Sequence, residues 1–289
     1  MFNTLITPRQ LAATLGEPAL IVIDCRFDLG RPDWGEGEYL RARIPQARYA
    51  HLERDLSGAV SASTGRHPLP SPEALAGRLS RWGIDGRSQV IAYDQGPGAY
   101  AARLWWLLRW MGHLQVAVLD GGLAAWQAQG LPMEEGSSSL PAPHLARFEG
   151  RPDDRKVAHT AEIERAVEEG ALARREWVLV DARAADRFAG RNETLDPVAG
   201  HVPGACNHPF ADNLIAGRFL PSSALRERFE RLLAGRPAEA VICMCGSGVT
   251  ACHDLLALEA AGLSGARLYA GSWSEWIRDP RRPVVKNSS

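Results

Sequence analysis

The stretch "ICMCGSGVT", residues 242–250, places Cys245 directly before Gly-Ser-Gly. Glycines at 246 and 248 leave backbone N–H groups uncovered, and a helix following such a turn points its positive end into the same space. Such a nest holds an anion. A thiolate is an anion, so the same field favours the ionised, nucleophilic form of a cysteine, and the chemistry predicted is covalent catalysis by Cys245.

Two other chemistries compete for the same residues. Cys243, Cys245, Cys252 and His253 offer thiolates and an imidazole, but Cys-x-Cys followed by Cys-His lacks the paired spacing of zinc ribbons or fingers. No second Cys/His cluster appears elsewhere in the chain, so no metal and no organic cofactor is expected. Cys243 and Cys252 read as packing residues, the latter on the apolar stripe of a helix. A cysteine phosphatase also uses a thiolate in an amide-lined loop, with an arginine six residues on to clamp phosphate oxygens. Position 251 here is Ala, which argues against phosphate-ester hydrolysis.

The elements that must position Cys245 come from an internal repeat. "IVIDCRF" at 21–27 returns as "VLVDARA" at 178–184, "ARIPQARY" at 42–49 as "GHVPGACN" at 200–207, and "LDGGLAAW" at 119–126 as "YAGSWSEW" at 269–276. The longest pair sets "QVIAYDQGPGAYAARLWWLL" at 89–108 beside "AVICMCGSGVTACHDLLALE" at 240–259, so that Asp94 stands opposite Cys245. A near-constant offset of this kind marks duplication of one folding unit. The Ser-, Pro- and Gly-rich residues 136–155 read as a linker between domains at 1–135 and 156–289.

Within each half, β-branched runs alternate with helical patterns, as an open, mostly parallel α/β sheet flanked by helices requires. The predicted strands are 20–24, 89–93 and 116–119, then 177–181, 239–244 and 266–269. After Cys245, residues Cys252, Leu255, Leu256, Ala260 and Leu263 keep helical spacing, with Gly262 as a stop signal. Cys245 is thus expected at the carboxyl end of a parallel strand, where ligand chemistry concentrates in such sheets. Trp105, Trp106 and Trp110 sit at helical spacing and read as packing, and His201 and Gly204 as turn residues.

Composition narrows the partners. With 45% hydrophobic and 23% charged residues the chain is that of a globular protein, and a net charge of −1 gives no general reason to expect nucleic acid or an anionic membrane. No apolar run approaches a membrane span, and "MFNTLITPRQ" lacks the features of a signal peptide, so a cytoplasmic setting is expected. Five cysteines, an odd number, argue against a disulfide framework.

Tandem domains, "DAR" after a strand, "GHVPGA" and a glycine-rich cysteine loop in the second half together resemble the rhodanese superfamily of sulfurtransferases, over nearly the whole chain. The resemblance implies two tandem rhodanese-like domains, the first non-catalytic, the second carrying sulfur on Cys245 as a persulfide. The donor is then a small molecule, and the acceptor cyanide, a small thiol or a thioredoxin-like dithiol. "CGSGVT" is similar to the loop of 3-mercaptopyruvate sulfurtransferases, whereas thiosulfate-preferring enzymes place basic residues after the cysteine. This implies Ser247 as a proton-handling hydroxyl, paired with a histidine, His67 of "GRHPLP", and a carboxylate, Glu53 or Asp55.

The same resemblance implies substrate binding by Arg187, with Arg183 a second candidate that the repeat also explains as a partner of Asp181, since Asp24 and Arg26 recur in the half without a cysteine. Gly246, Gly248, Val249 and Thr250 would line the site and steady the persulfide. One departure stands out: position 196, where a second substrate arginine is expected, is Asp, with Arg191 the nearby substitute. A thiosulfate donor and a non-catalytic sulfur-carrier or sensor module are the competing readings.

Overall fold

The computed structural model describes residues 1–136 and 146–287, so that 137–145, the middle of the expected linker, lie outside the described residues. It divides into two units: residues 1–58, 69–153 and 216–219 form one, and residues 59–68, 154–215 and 220–289 the other. Two short segments therefore pack with the unit that is not their neighbour in sequence.

In the first unit, five strands run in the order Leu5–Ile6, Val116–Leu119, Gln89–Tyr93, Leu20–Asp24, Arg48–Tyr49. All four pairings are parallel. The second unit repeats this with Val157–Ala158, Arg267–Tyr269, Val241–Met244, Val178–Asp181 and Cys206–Asn207, again parallel throughout. The expected inner strands are all present. At 239–240 the structure has the end of a 3-10 turn, Ala238–Ala240, and the strand begins at Val241. The two-residue edge strands are too short to carry a period of two and had no sequence signal.

The central strands are buried on both faces, which explains their continuous apolar runs. Trp126 fills the first core and donates its indole N–H to Pro132 O at 2.8 Å; Trp276 does the same in the second, to Pro283 O at 3.0 Å. Each unit also buries an Asp-x-Arg ion pair after its first inner strand. Arg26 forks onto Asp24 and reaches Ala42 O, while Arg183 forks onto Asp181 and reaches Gly200 O. No helix among the described residues is long and apolar enough to cross a membrane.

Candidate active site

Strand Val241–Met244 lies between two parallel neighbours, and its chain leaves the sheet at Cys245, runs through 246–250 and enters the helix Ala251–Ala260. The loop is fixed by backbone bonds from the next turn: Trp273 N–H donates to Cys245 O at 3.0 Å and Ser274 N–H to Gly246 O at 2.9 Å. Cys245 N–H donates to Ser272 Oγ at 3.0 Å, and that hydroxyl donates in turn to Tyr269 O. Ser272 holds φ at +52°, a left-handed conformation that costs a non-glycine residue about 1–2 kcal/mol. Its left-handed backbone holds the hydroxyl against the Cys245 N–H, a placement with no mark in the sequence.

Inside the loop, Gly248 N–H donates to Cys245 Sγ at 3.1 Å, which is the contact an anionic sulfur needs. Gly248 has φ +76°, and a Cβ there would strike the carbonyl oxygen of Ala270, so only glycine keeps the turn. Cys245 itself is only 2% exposed. The other thiols are differently placed. Burial pushes Cys243 and Cys25 well above the ordinary thiol range and Cys206 up to about 11, while Cys252 donates to Gly248 O from the helix. Val249 is buried, and Thr250 stands at the N-cap position of the helix without a side-chain capping bond. Among the described residues no group of His, Cys, Asp or Glu is arranged to hold a metal; His253 Nδ1 is instead bonded by Asn213.

Ser247 and His67 meet. His67 Nδ1 lies 2.7 Å from Ser247 Oγ, and both residues are buried, although 180 residues separate them in the chain. His67 reaches Ser247 because segment 59–68 packs with the second unit: Gly65 N–H donates to Glu275, Arg66 N–H to Ser274 Oγ, and Arg278 Nε to Thr64 O. Glu53 and Asp55 belong to the short helix Leu52–Asp55 of the first unit. There Asp55 pairs with Arg78 Nε at 3.1 Å and accepts the His51 N–H.

The arginines sort by what they hold. Arg183 is committed to the protein, with Nε and Nη2 on Asp181, Nη1 on Glu193 and its carbon 4.7 Å over the Trp273 ring. Burial opposes its charge, but Asp181, Glu193 and Cys245 hold its pKa above the ordinary value. Arg187 uses Nε and Nη2 on Glu193 and touches Asp196 at 3.3 Å, while no described residue accepts from its Nη1. Glu193 stays below the usual carboxyl range despite burial, because Arg187 and two backbone N–H groups bond it. Arg191 is exposed, its N–H bonded to Asp186 O.

The cation that joins Arg187 at the loop is Arg66. A Cβ built on Gly246 would lie 3.0 Å from Arg66 Nη2 and 3.6 Å from Arg187 Nη2, so both guanidinium groups stand over the glycine next to Cys245. Arg66 is paired with Asp196, the residue found where an arginine was expected. Sequence reasoning passed over Arg66, Glu193 and Ser272. The acidic residue at 196 was the available signal, since a buried carboxylate beside a predicted anion site requires a cation from somewhere.

Known proteins match the chain over nearly all of its length. The profile of the Rhodanese-like domain matches residues 7–129 and again 160–279. A Pseudomonas aeruginosa protein provisionally named a 3-mercaptopyruvate sulfurtransferase is 53% identical over 284 residues, 97% of each chain. A Mycobacterium tuberculosis protein provisionally named a thiosulfate sulfurtransferase is 38% identical over 293 residues, 99% of this chain and 98% of its own. The structure of 3-mercaptopyruvate sulfurtransferase from Leishmania major superposes with a TM-score of 0.85 at 30% identity, covering 96% of this chain and 76% of that one.

Proposed function

The chain belongs to the rhodanese family and is a sulfurtransferase, and from that premise we propose that it takes sulfur from 3-mercaptopyruvate through a persulfide on Cys245. The observation that carries this reading is the Gly248 N–H on Cys245 Sγ, with the His67–Ser247 pair in the same unit. Residues 1–135 form the domain without a sulfur-carrying cysteine, lending His67 to the site, and 156–289 the one that carries Cys245, joined through 136–155.

In the reaction, Arg187 holds the donor carboxylate through its unused Nη1. Ser247 and His67 take up the donor thiol's proton, a relay of the kind general acid–base catalysis uses. Cys245 thiolate attacks the donor sulfur, the carbon–sulfur bond breaks, and its electron pair leaves with the carbon as the enolate of pyruvate, which takes the proton back. The loop N–H groups of 246–250 steady the outer sulfur until cyanide, a small thiol or a thioredoxin-like dithiol attacks it and releases the Cys245 thiolate. A reducing cytoplasmic setting suits this cycle, since it depends on a free thiol and all five cysteines are unpaired.

Intact-protein mass spectrometry after brief exposure to one donor tests the reading. A gain of one sulfur from 3-mercaptopyruvate, absent in Cys245→Ser, is expected. A gain from thiosulfate alone would transfer the assignment to that donor, a second reading favoured by the Mycobacterium tuberculosis relative. A gain from neither would leave a binding or sensor role.

A further inference from the structure

Six charged side chains of the second unit form one continuous line beside Cys245: Arg66 pairs with Asp196, Asp196 with Arg187, Arg187 with Glu193, Glu193 with Arg183, and Arg183 with Asp181. Signs alternate along it, so three guanidinium groups meet three carboxylates and the line is neutral. Asp181, Glu193 and Asp196 are at most 2% exposed at the side chain, whereas Arg66 and Arg187, the members nearest Gly246, are 30% and 18% exposed. The end facing the nucleophile therefore presents cations, held from behind by buried acids.

A donor bound there meets two opposing fields. Its nearest charges are the Arg66 and Arg187 guanidinium groups, which attract any anion; Asp196 grips both arginines and repels it. One negative charge is well matched by donors from two forks whose charge is half spent on Asp196. A second negative charge adds repulsion from Asp196 without a further cation to meet it. We infer that the Arg66–Asp196 pair sets donor choice, Arg66 supplying the second anion-binding fork over Gly246 and Asp196 holding the site's charge down so that monoanionic 2-oxo acid thiols are preferred to dianionic donors. This rests on the proposed sulfurtransferase reading and names the residues that decide between its two donors.

The pair also differs from a merely structural bridge in where it sits. Arg66 is anchored by its backbone N–H on Ser274 Oγ, so its guanidinium is not required to hold segment 59–68 in place. Asp196 lies under the arginines and not at the unit's rim.

The test compares kcat/KM for 3-mercaptopyruvate and for thiosulfate, with cyanide as acceptor, in the full-length wild type, Asp196→Asn and Arg66→Met. Asp196→Asn removes a negative charge at constant shape and should move the ratio toward thiosulfate by about tenfold, the size of one unit charge at partly screened contact distance. Arg66→Met removes a positive charge and should move the ratio the other way. Opposite shifts are the signature of charge; loss of packing would lower both donors together. With an active wild type, an unchanged ratio or shifts in the same direction in both variants would overturn the inference alone. A wild type that accepts sulfur from neither donor would overturn the function reading as well. Should Asp196→Asn fail to fold, Arg66→Met decides by itself, since an unmoved ratio there removes Arg66 from donor choice.

Discussion

The two halves of the chain build the same cradle and fill it differently. In the first, Asp94 sits where the second has Cys245, and its carboxylate accepts four backbone N–H groups: Gly96 and Gly98 on Oδ1, Tyr100 and Ala101 on Oδ2. In the second, Cys245 Sγ accepts the N–H of Gly248, one position earlier in its loop than Gly98 is in the first; the two glycines have φ +76° and +84°. The support behind them matches too. Leu123 N–H donates to Asp94 O as Trp273 N–H donates to Cys245 O, and Gly122 at φ +56° stands where Ser272 stands at +52°. One cradle is filled by a carboxylate of its own that takes four backbone N–H groups, and the other by a sulfur that takes the Gly248 N–H. Anion-binding geometry belongs to the fold; chemistry depends on whether the anion is permanent.

Exchanging the two fillings is the strongest way to break this comparison. Cys245→Asp should fold, because its cradle is built like one that already holds a carboxylate, and should lose all measurable sulfur transfer; residual turnover with either donor would show that another group carries the sulfur. The reverse dependence is smaller. Asp94→Asn turns one acceptor oxygen into a donor facing backbone N–H groups, and should lower unfolding free energy by about 1–3 kcal/mol in denaturant titration while leaving kcat unchanged. A fall in kcat at full stability would give Asp94 a part in the reaction.

The smallest effect concerns the helices behind the loops, where the repeat sets buried Arg103 opposite buried Asp254. Burial holds the Asp254 carboxyl well above its usual range, opposed mainly by the Asn213 amide, and its Oδ2 has no hydrogen-bond partner among the described residues. A carboxyl raised in the folded protein leaves the unfolded chain to release its proton first, so stability falls as pH rises from the unfolded pKa toward the folded one. Asp254→Asn does not titrate, and its stability relative to wild type should increase as the pH is raised from about 4, the range of an unfolded carboxyl, through neutrality. A difference constant across that range would mean that Asp254 is not protonated in the folded state.

What the sequence made legible follows from the range of the interactions concerned. Inner strands were readable because full burial leaves an unbroken apolar run, and the Cys245 turn because glycines mark it locally. The structural commitment of Arg183 was visible in the recurrence of Asp24 and Arg26. Arg66 and Asp196 were not paired in advance, since 130 residues separate them and neither disturbs a local period. Ser272 was hidden for the opposite reason: its left-handed backbone is ordinarily announced by glycine, and a serine there looks like any turn residue. His67 was named by resemblance alone; its meeting with Ser247 depends on segment 59–68 leaving its neighbours in sequence.

That segment gives the protein an indivisible architecture despite its repeated origin. A duplicated chain is ordinarily modular, and a cut within 136–155 would seem to deliver a complete second copy. Here the piece so released would contain Cys245, Ser247 and Arg187 but neither His67 nor Arg66, which are encoded far upstream among the residues of the other copy. The repeated half and the packed unit no longer share a boundary, so recombination that shuffles one half against another would exchange His67, which meets Ser247, and Arg66, which stands over Gly246, along with the scaffold.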